Sequence, residues 1–277
     1  MFDERRAKRK GPDYFPRLRL ADAKVLPLAD APVRDDDFVQ LVRSGGEALA
    51  FRVKDMAWHH VAVGELGGES FALSLCIVCH MGVTLVPEHN GRALSLSCGG
   101  LSDGMAILVD DETHTYWHHL TGAALHGPLV GARLQTRMAP LLSKREALAQ
   151  EPGVRVACAS TLIAQVVGGP MSRFAVNGAL PMPPHFRSTL DVPDARLPLM
   201  TNGLGVFDRE RAVFFPLARG QTAPSEHPWG ARRVHIERGV SGTPCATLDD
   251  GAIPDQLFGR WYGFSASFPG CDVGAQI

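Results

Sequence analysis

Ser70-Phe-Ala-Leu-Ser-Leu75 alternates small and large residues over six positions and runs straight into Cys76-Ile-Val-Cys79. Side chains along a strand point to opposite faces in turn, so a two-residue period of this kind marks a β-strand with one large apolar face. The same rough period recurs at Ala48-Leu-Ala-Phe-Arg-Val53, Ala93-Leu-Ser-Leu96, Ala106-Ile-Leu-Val109 and Ala212-Val-Phe-Phe215. Gly67-Gly68, Asn90-Gly91 and Gly99-Gly100 read as turns between such stretches. Asn90-Gly91 is the sharpest of them, because a type I′ hairpin turn needs positive φ at both central residues. Helical patterns are few. Ser143-Lys-Arg-Glu-Ala-Leu-Ala-Gln150 has a serine cap with a glutamate three residues on, and residues 255–267 form a second candidate. The expected fold is mainly β (α+β with few short helices).

Val206-Phe-Asp-Arg-Glu-Arg-Ala-Val-Phe-Phe-Pro-Leu217 echoes Val42-Arg-Ser-Gly-Gly-Glu-Ala-Leu-Ala-Phe-Arg-Val53, with Val, Ala and Phe identical. Both read as strand, polar turn, strand, which predicts two related β-barrel-like or β-sandwich-like halves, the second degenerate. On this reading residues 1–39 are an N-terminal arm, 40–155 the first half, 156–198 a connector and 199–277 the second half. Gly168-Gly169-Pro170 and Pro181-Met-Pro-Pro184 mark the connector.

Composition bounds the function. The 277 residues are 45% hydrophobic and 21% charged, with 28 Lys and Arg against 29 Asp and Glu. A net charge of −1 lacks the basic surplus of a nucleic-acid binder. No run reaches the roughly 18 apolar residues of a membrane span. Met1 to Lys10 carries five basic residues but no apolar stretch follows, so the expected location is cytoplasmic and the decapeptide reads as a solvated, disordered end. Six scattered cysteines at this length do not make a disulfide framework.

Histidine is the informative count. Eight of 11 (59, 60, 80, 89, 114, 118, 119, 126) lie between 59 and 126, together with Cys76, Cys79 and Cys98. Imidazole and thiolate are the side chains that bind borderline and soft transition metals. Cys76 and Cys79 can share one ion if the chain turns between them; continued as a strand they would face opposite sides. The plain alternative is that both are buried core thiols. With His80 the string also fits the attachment pattern of c-type haem, which is less favoured because attachment accompanies export. Trp58-His59-His60 and Trp117-His118-His119 each pair an aromatic with two histidines. On a strand each pair would offer one histidine to a common interior. Cys98 and Asp103 flank a glycine turn and are candidates for a pocket rim. No phosphate loop, dinucleotide fingerprint or nucleophile elbow is present.

The ordered motifs resemble those of a bacterial family, the domain of unknown function 3179. They are Gly46-Glu-Ala-Leu-Ala-Phe-Arg-Val53, Trp58-His59-His60, Gly67-Gly68, Cys76-Ile-Val-Cys79, Ser97-Cys98-Gly99, Asp110 to Trp117, and Thr121-Gly122 through Gly127-Pro-Leu-Val-Gly-Ala-Arg-Leu134. The resemblance covers residues 40–155 and, more weakly, 200–270, where the aromatic-rich Phe258 to Pro269 is similar to the family's close. Four departures stand out. His60 replaces the family's Glu, His80 its Gly, Cys98 its Ser, and His118-His119 its Ser-Gln, each a gain of imidazole or thiol.

The leading expectation is a transition-metal-binding protein with a Cys/His site doing redox or oxygen-related chemistry, a possible metal-dependent oxidoreductase. Cys76, Cys79 and His59 are the first ligand candidates, with His80, His118 and His119 next. His60, Cys98, Asp103 and Trp117 are further pocket candidates. The metal would be copper, zinc or iron, and the partner a small-molecule substrate or ligand. The alternatives are a thiol–disulfide protein cycling Cys76 and Cys79, and a non-catalytic binding or scaffold module.

Overall fold

A computed structural model describes residues 2–12, 14–161, 181–218, 220 and 223–277, with 164, 166, 168, 169 and 172 between them. Pro170, and with it much of the expected connector, lies outside the described residues. The fold is mainly β; the described residues form three five-stranded sheets, a four-stranded sheet, a three-stranded sheet and a two-stranded ribbon.

The alternating segment is the strand Glu69–Ser74, antiparallel to Val61–Leu66 in a sheet completed by Val83–Leu85, Thr136–Met138 and Leu18–Arg19. Its alternation separates two cores. Phe71, Leu73 and Leu75 pack with Leu49, Phe51 and Met56, whereas Ala72 faces a second core holding Cys76, Cys79, Leu108 and Trp117. Small residues on that second side leave room for what the following turn places there. The first core lies toward the sheet Leu141–Ser143, Phe38–Ser44, Glu47–Arg52, Arg155–Cys158, Lys24–Pro27. The second lies toward the sheet Lys8–Arg9, Leu96–Ser102, Met105–Asp110, Tyr116–His118, Ala124–His126.

Residues of the C-terminal part complete the second core. The strands Asn202–Phe207, Ala212–Pro216, Asp255–Arg260 and Asp272–Val273 form one sheet, and Ser225–Trp229, Arg232–Arg238 and Pro244–Leu248 another. Leu204, Val206, Phe215, Trp229, Val234 and Ile236 share a core among these strands. Phe214, Leu257, Trp261, Tyr262 and Phe264 instead join Cys76, Cys79 and Trp117. Each of the two echoing stretches forms an antiparallel hairpin.

Four helices are named here: α1 (Val53–His59), α2 (Lys144–Gln150), α3 (Pro184–Arg187) and α4 (Trp261–Ser267). The serine cap of α2 is a full capping box, with Ser143 and Glu146 each bonding the other's backbone N–H. Several local expectations are corrected. The second helical candidate divides: Asp255–Arg260 is a strand, because Asn202–Phe207 offers it a complete antiparallel partner, and only Trp261–Ser267 is helical. Asn90-Gly91 makes its hairpin with φ of +50° and +74°. Gly99-Gly100 does not turn; it lies inside the strand Leu96–Ser102 at a β-bulge, and the hairpin closes at Asp103-Gly104, with φ of +47° and +72°. The basic N-terminus is not loose: Lys8 and Arg9 pair with Leu101 and Gly100, and the Lys8 Nζ donates to Ser188 Oγ at 2.7 Å.

Candidate metal centre

The centre is built where the strand Glu69–Ser74 ends. Cys76 N–H donates to the Met81 carbonyl at 3.0 Å and His80 N–H donates to the Cys76 carbonyl at 2.8 Å. The chain thus reverses across Ile77-Val78, despite their β-branching, and residues 76 and 79 reach the same side. His80 closes the turn with φ +63°, a left-handed conformation that glycine adopts freely and that costs another residue about 1 kcal/mol. A histidine held there is a strained choice.

The imidazole comes from the far sheet. The strand Tyr116–His118 ends at His118, so His119 escapes the strand's alternation. The two rings stack at 11° with centroids 5.9 Å apart, where a continued strand would have pointed them to opposite faces. Trp117, fully buried, donates its indole N–H to Asp110 Oδ2 at 2.8 Å and fixes the end of the strand. Ser74 Oγ donates to the His119 carbonyl at 3.0 Å and ties this segment to the strand that leads into Cys76.

Together these segments place His119 Nε2 at 3.8 Å from Cys79 Sγ. One ligand atom from each of Cys76, Cys79 and His119 lies within 4.8 Å of the others. A tetrahedral ion with metal–sulfur and metal–nitrogen bonds of about 2.3 and 2.0 Å requires S···N near 3.5 Å and S···S near 3.8 Å, so this spacing closes onto an ion with small adjustments. All three residues are buried, at 2%, 0% and 1% exposure.

Electrostatics prepare the donors unequally. Burial opposes ionisation of Cys76, but hydrogen bonds from the Cys79 thiol and from backbone N–H groups, including those of Cys79 and Ala106, outweigh it and bring the thiol down to about 7. Burial and the adjacent Cys76 sulfur push Cys79 well up. Burial, with His118 and His60 close by, drives His119 well below its ordinary range, so the ring is neutral and keeps a lone pair for a metal. Its Nδ1 has no partner among the described residues. If Nε2 ligates, Nδ1 carries the proton without the acceptor that usually steadies a ligating imidazole.

The other candidates lie outside the three-donor group. Trp58-His59-His60 is the end of α1 rather than a strand: His59 is its last residue, and His60 caps it with φ +60°. His59 Nδ1 lies 2.5 Å from the Pro16 carbonyl, and the His60 ring packs edge-on against Phe15. His80 packs edge-on against Phe258, and burial lowers it to about 3. His118 accepts the N–H groups of Leu120 and Thr121 at Nδ1, which leaves its proton on Nε2, 3.5 Å from Ser267 Oγ. Cys98 is buried in the same core as Cys76 but outside the three-donor group. Asp103 is in a hairpin turn, where it accepts the Asp191 N–H at 3.3 Å.

The C-terminal contribution is absent from the sequence reading. Arg260 N–H donates to the Cys79 carbonyl at 2.9 Å, and α4 presses Gly263 onto the turn. Tyr262 reaches back to the Gly104 carbonyl at 3.0 Å. Gly259 and Gly263, set among aromatic residues, are the signal that could have revealed this close approach. Two surface grooves, of about 460 and 380 Å³, are lined by none of these candidates.

Fold and site define a β-rich protein whose N-terminal part supplies a two-thiol, one-imidazole cluster that lies close enough to hold a metal. The chain belongs to the family described as protein of unknown function DUF3179, whose model matches residues 12–227. Gly259 to Ser267 lie beyond that match. Comparison with curated proteins and with solved structures finds no match. Among the described residues no helix is long and apolar enough to cross a membrane.

Proposed function

We propose that this protein binds a transition-metal ion through Cys76, Cys79 and His119. The observation that carries the reading is the convergence of three buried soft or borderline donors from two sheets within 4.8 Å. Two thiolates with one imidazole suit zinc, copper or iron, and with copper or iron the same donors would support redox chemistry.

A thiol–disulfide role has one observation in its favour, the Cys76 thiol drawn down to about 7. Exchange also needs access for an incoming sulfur, and at 2% and 0% exposure neither cysteine offers it. Metal analysis of the purified full chain tests the proposal. One equivalent of metal is expected in the parent protein, with loss in Cys76→Ser and in His119→Ala. Substoichiometric metal in all three would refute it.

A further inference from the structure

Three protein donors leave one vertex of a tetrahedron unassigned, and what fills it separates a reactive ion from one that only holds the fold. We infer that Cys98 is the fourth ligand, giving a closed site of three sulfurs and one nitrogen. This rests on the three-donor reading above and goes beyond it.

The strand register supports the assignment. Cys98 pairs with Leu108 across the strands Leu96–Ser102 and Met105–Asp110. Ala106 and Leu108 alternate onto one face of Met105–Asp110, and both join Cys76, Cys79 and Cys98 in a single core; Ile107, facing the other way, does not. The Ala106 backbone N–H is also one of the groups that hydrogen-bond the Cys76 sulfur. The Cys76 sulfur thus rests on the strand next to the one that bears Cys98. A β-bulge between Cys98 and Gly100 interrupts the ladder at this residue, and bulges re-aim the side chains beside them. Cys98 lies outside the 4.8 Å group, but its sulfur has a single side-chain torsion through which to approach.

Surroundings and charge agree with a closed site. The two cysteines share a core with Met81, Met105, Leu108, Trp117 and Tyr262, mostly apolar surroundings that favour a protein ligand over a metal-bound water. Three thiolates on a divalent ion leave one net negative charge. Arg260, 2% exposed and bonded through its backbone N–H to the Cys79 carbonyl, puts a guanidinium of the opposite sign on the residue that holds the turn.

The test uses the full-length chain, freed of metal under reducing conditions and loaded with Co²⁺ or Zn²⁺ alone. Thiolate-to-cobalt charge-transfer absorption scales with the number of bound sulfurs, so Cys98→Ser should lower its intensity per bound ion by about one third while the ion stays bound. X-ray absorption of the zinc-loaded parent protein should count three sulfurs and one nitrogen, and it decides the matter alone if the variant fails to fold. Two sulfurs in that spectrum, or unchanged cobalt intensity in Cys98→Ser, would overturn the role of Cys98 and leave the three-donor site standing. Failure of the parent protein to take up either ion would overturn both.

Discussion

Replacing Gly263 by alanine asks whether α4 presses on the metal centre. A Cβ at 263 would lie 2.7 Å from Met81 Cε, 2.8 Å from Cys79 Cβ and 3.3 Å from Met105 Sδ. The end of Met81 can swing aside, since methionine is flexible and tolerant of gaps and crowding. Cys79 cannot easily follow. Its carbonyl is held by the Arg260 N–H at 2.9 Å, and its turn is closed by the His80 N–H on the Cys76 carbonyl at 2.8 Å. Two effects then oppose each other. Alanine in a helix is favoured over glycine by about 1 kcal/mol. Overpacking a filled core costs about 1–3 kcal/mol. Because the unyielding neighbour is a backbone-anchored Cβ, the clash should win, with a net loss of up to about 2 kcal/mol in urea unfolding of the metal-free protein. Displacing Cys79 from Cys76 and His119 should also weaken zinc binding in a chelator competition. Gly11→Ala, where nothing lies within 4 Å, is the control and should change neither. If Gly263→Ala instead gained stability and bound zinc like the parent, α4 would not be bearing on the turn and this account of the site would fail.

Zinc at a hundredfold excess over its dissociation constant should stabilise the chain by about 2.7 kcal/mol, and Cys76→Ser should abolish that shift in thermal unfolding; an equal shift in both would exclude the site. Burial holds His80 at about 3 and His60 and His118 at about 4, against 6.5 for the unfolded chain. Below pH 6.5 the unfolded state therefore binds more protons, so the metal-free protein should be at full stability above that pH and lose about 2 kcal/mol per histidine by about pH 5. Urea midpoints that stay level between pH 7.5 and 5 would contradict this. Ser143→Ala removes one arm of the α2 capping box and should cost about 1 kcal/mol in urea unfolding. Glu146→Ala should cost more, because Glu146 also accepts the Ser241 hydroxyl; equal losses would show that this second contact contributes nothing.

The β character and the hairpins at Gly67-Gly68 and Asn90-Gly91 were legible because alternation and turn chemistry are local. Asn90-Gly91 and the Ser143 capping box needed no tertiary information. Gly99-Gly100 and Asp103-Gly104 lie four residues apart and both look like turns, and only the pairing of Leu96–Ser102 with Met105–Asp110 makes one a bulge and the other a hairpin. Residues 255–260 differ from their helical pattern for a similar reason, since their strand exists only where Asn202–Phe207 supplies the partner. At the site, clustering in sequence singled out Cys76, Cys79 and the paired histidines, but not which imidazole arrives. That depends on where a strand ends and a helix caps: the strand Tyr116–His118 stops one residue before His119, and α1 carries His59 to the Pro16 carbonyl. The C-terminal closure was not legible at all, because Arg260 and Gly263 are about 180 residues from the turn they contact.

That closure bears on what the cysteines can do. One route by which Cys79 could meet a partner's sulfur is for α4 to lift from the turn, breaking the Arg260–Cys79 and Tyr262–Gly104 bonds. Trp261, Tyr262 and Phe264, each at most 2% exposed, would enter water together. At about 2–3 kcal/mol for each large apolar side chain, that opening approaches the whole stability of an ordinary domain. Repeated catalytic exchange through such an opening would be slow. A metal ion needs the opening only once, as the chain folds, when ligands from the Cys76 turn and the end of Tyr116–His118 first come together. Afterwards the same aromatic cover that excludes thiol partners also excludes competing ligands, so the burial that counts against exchange is what a resident ion requires.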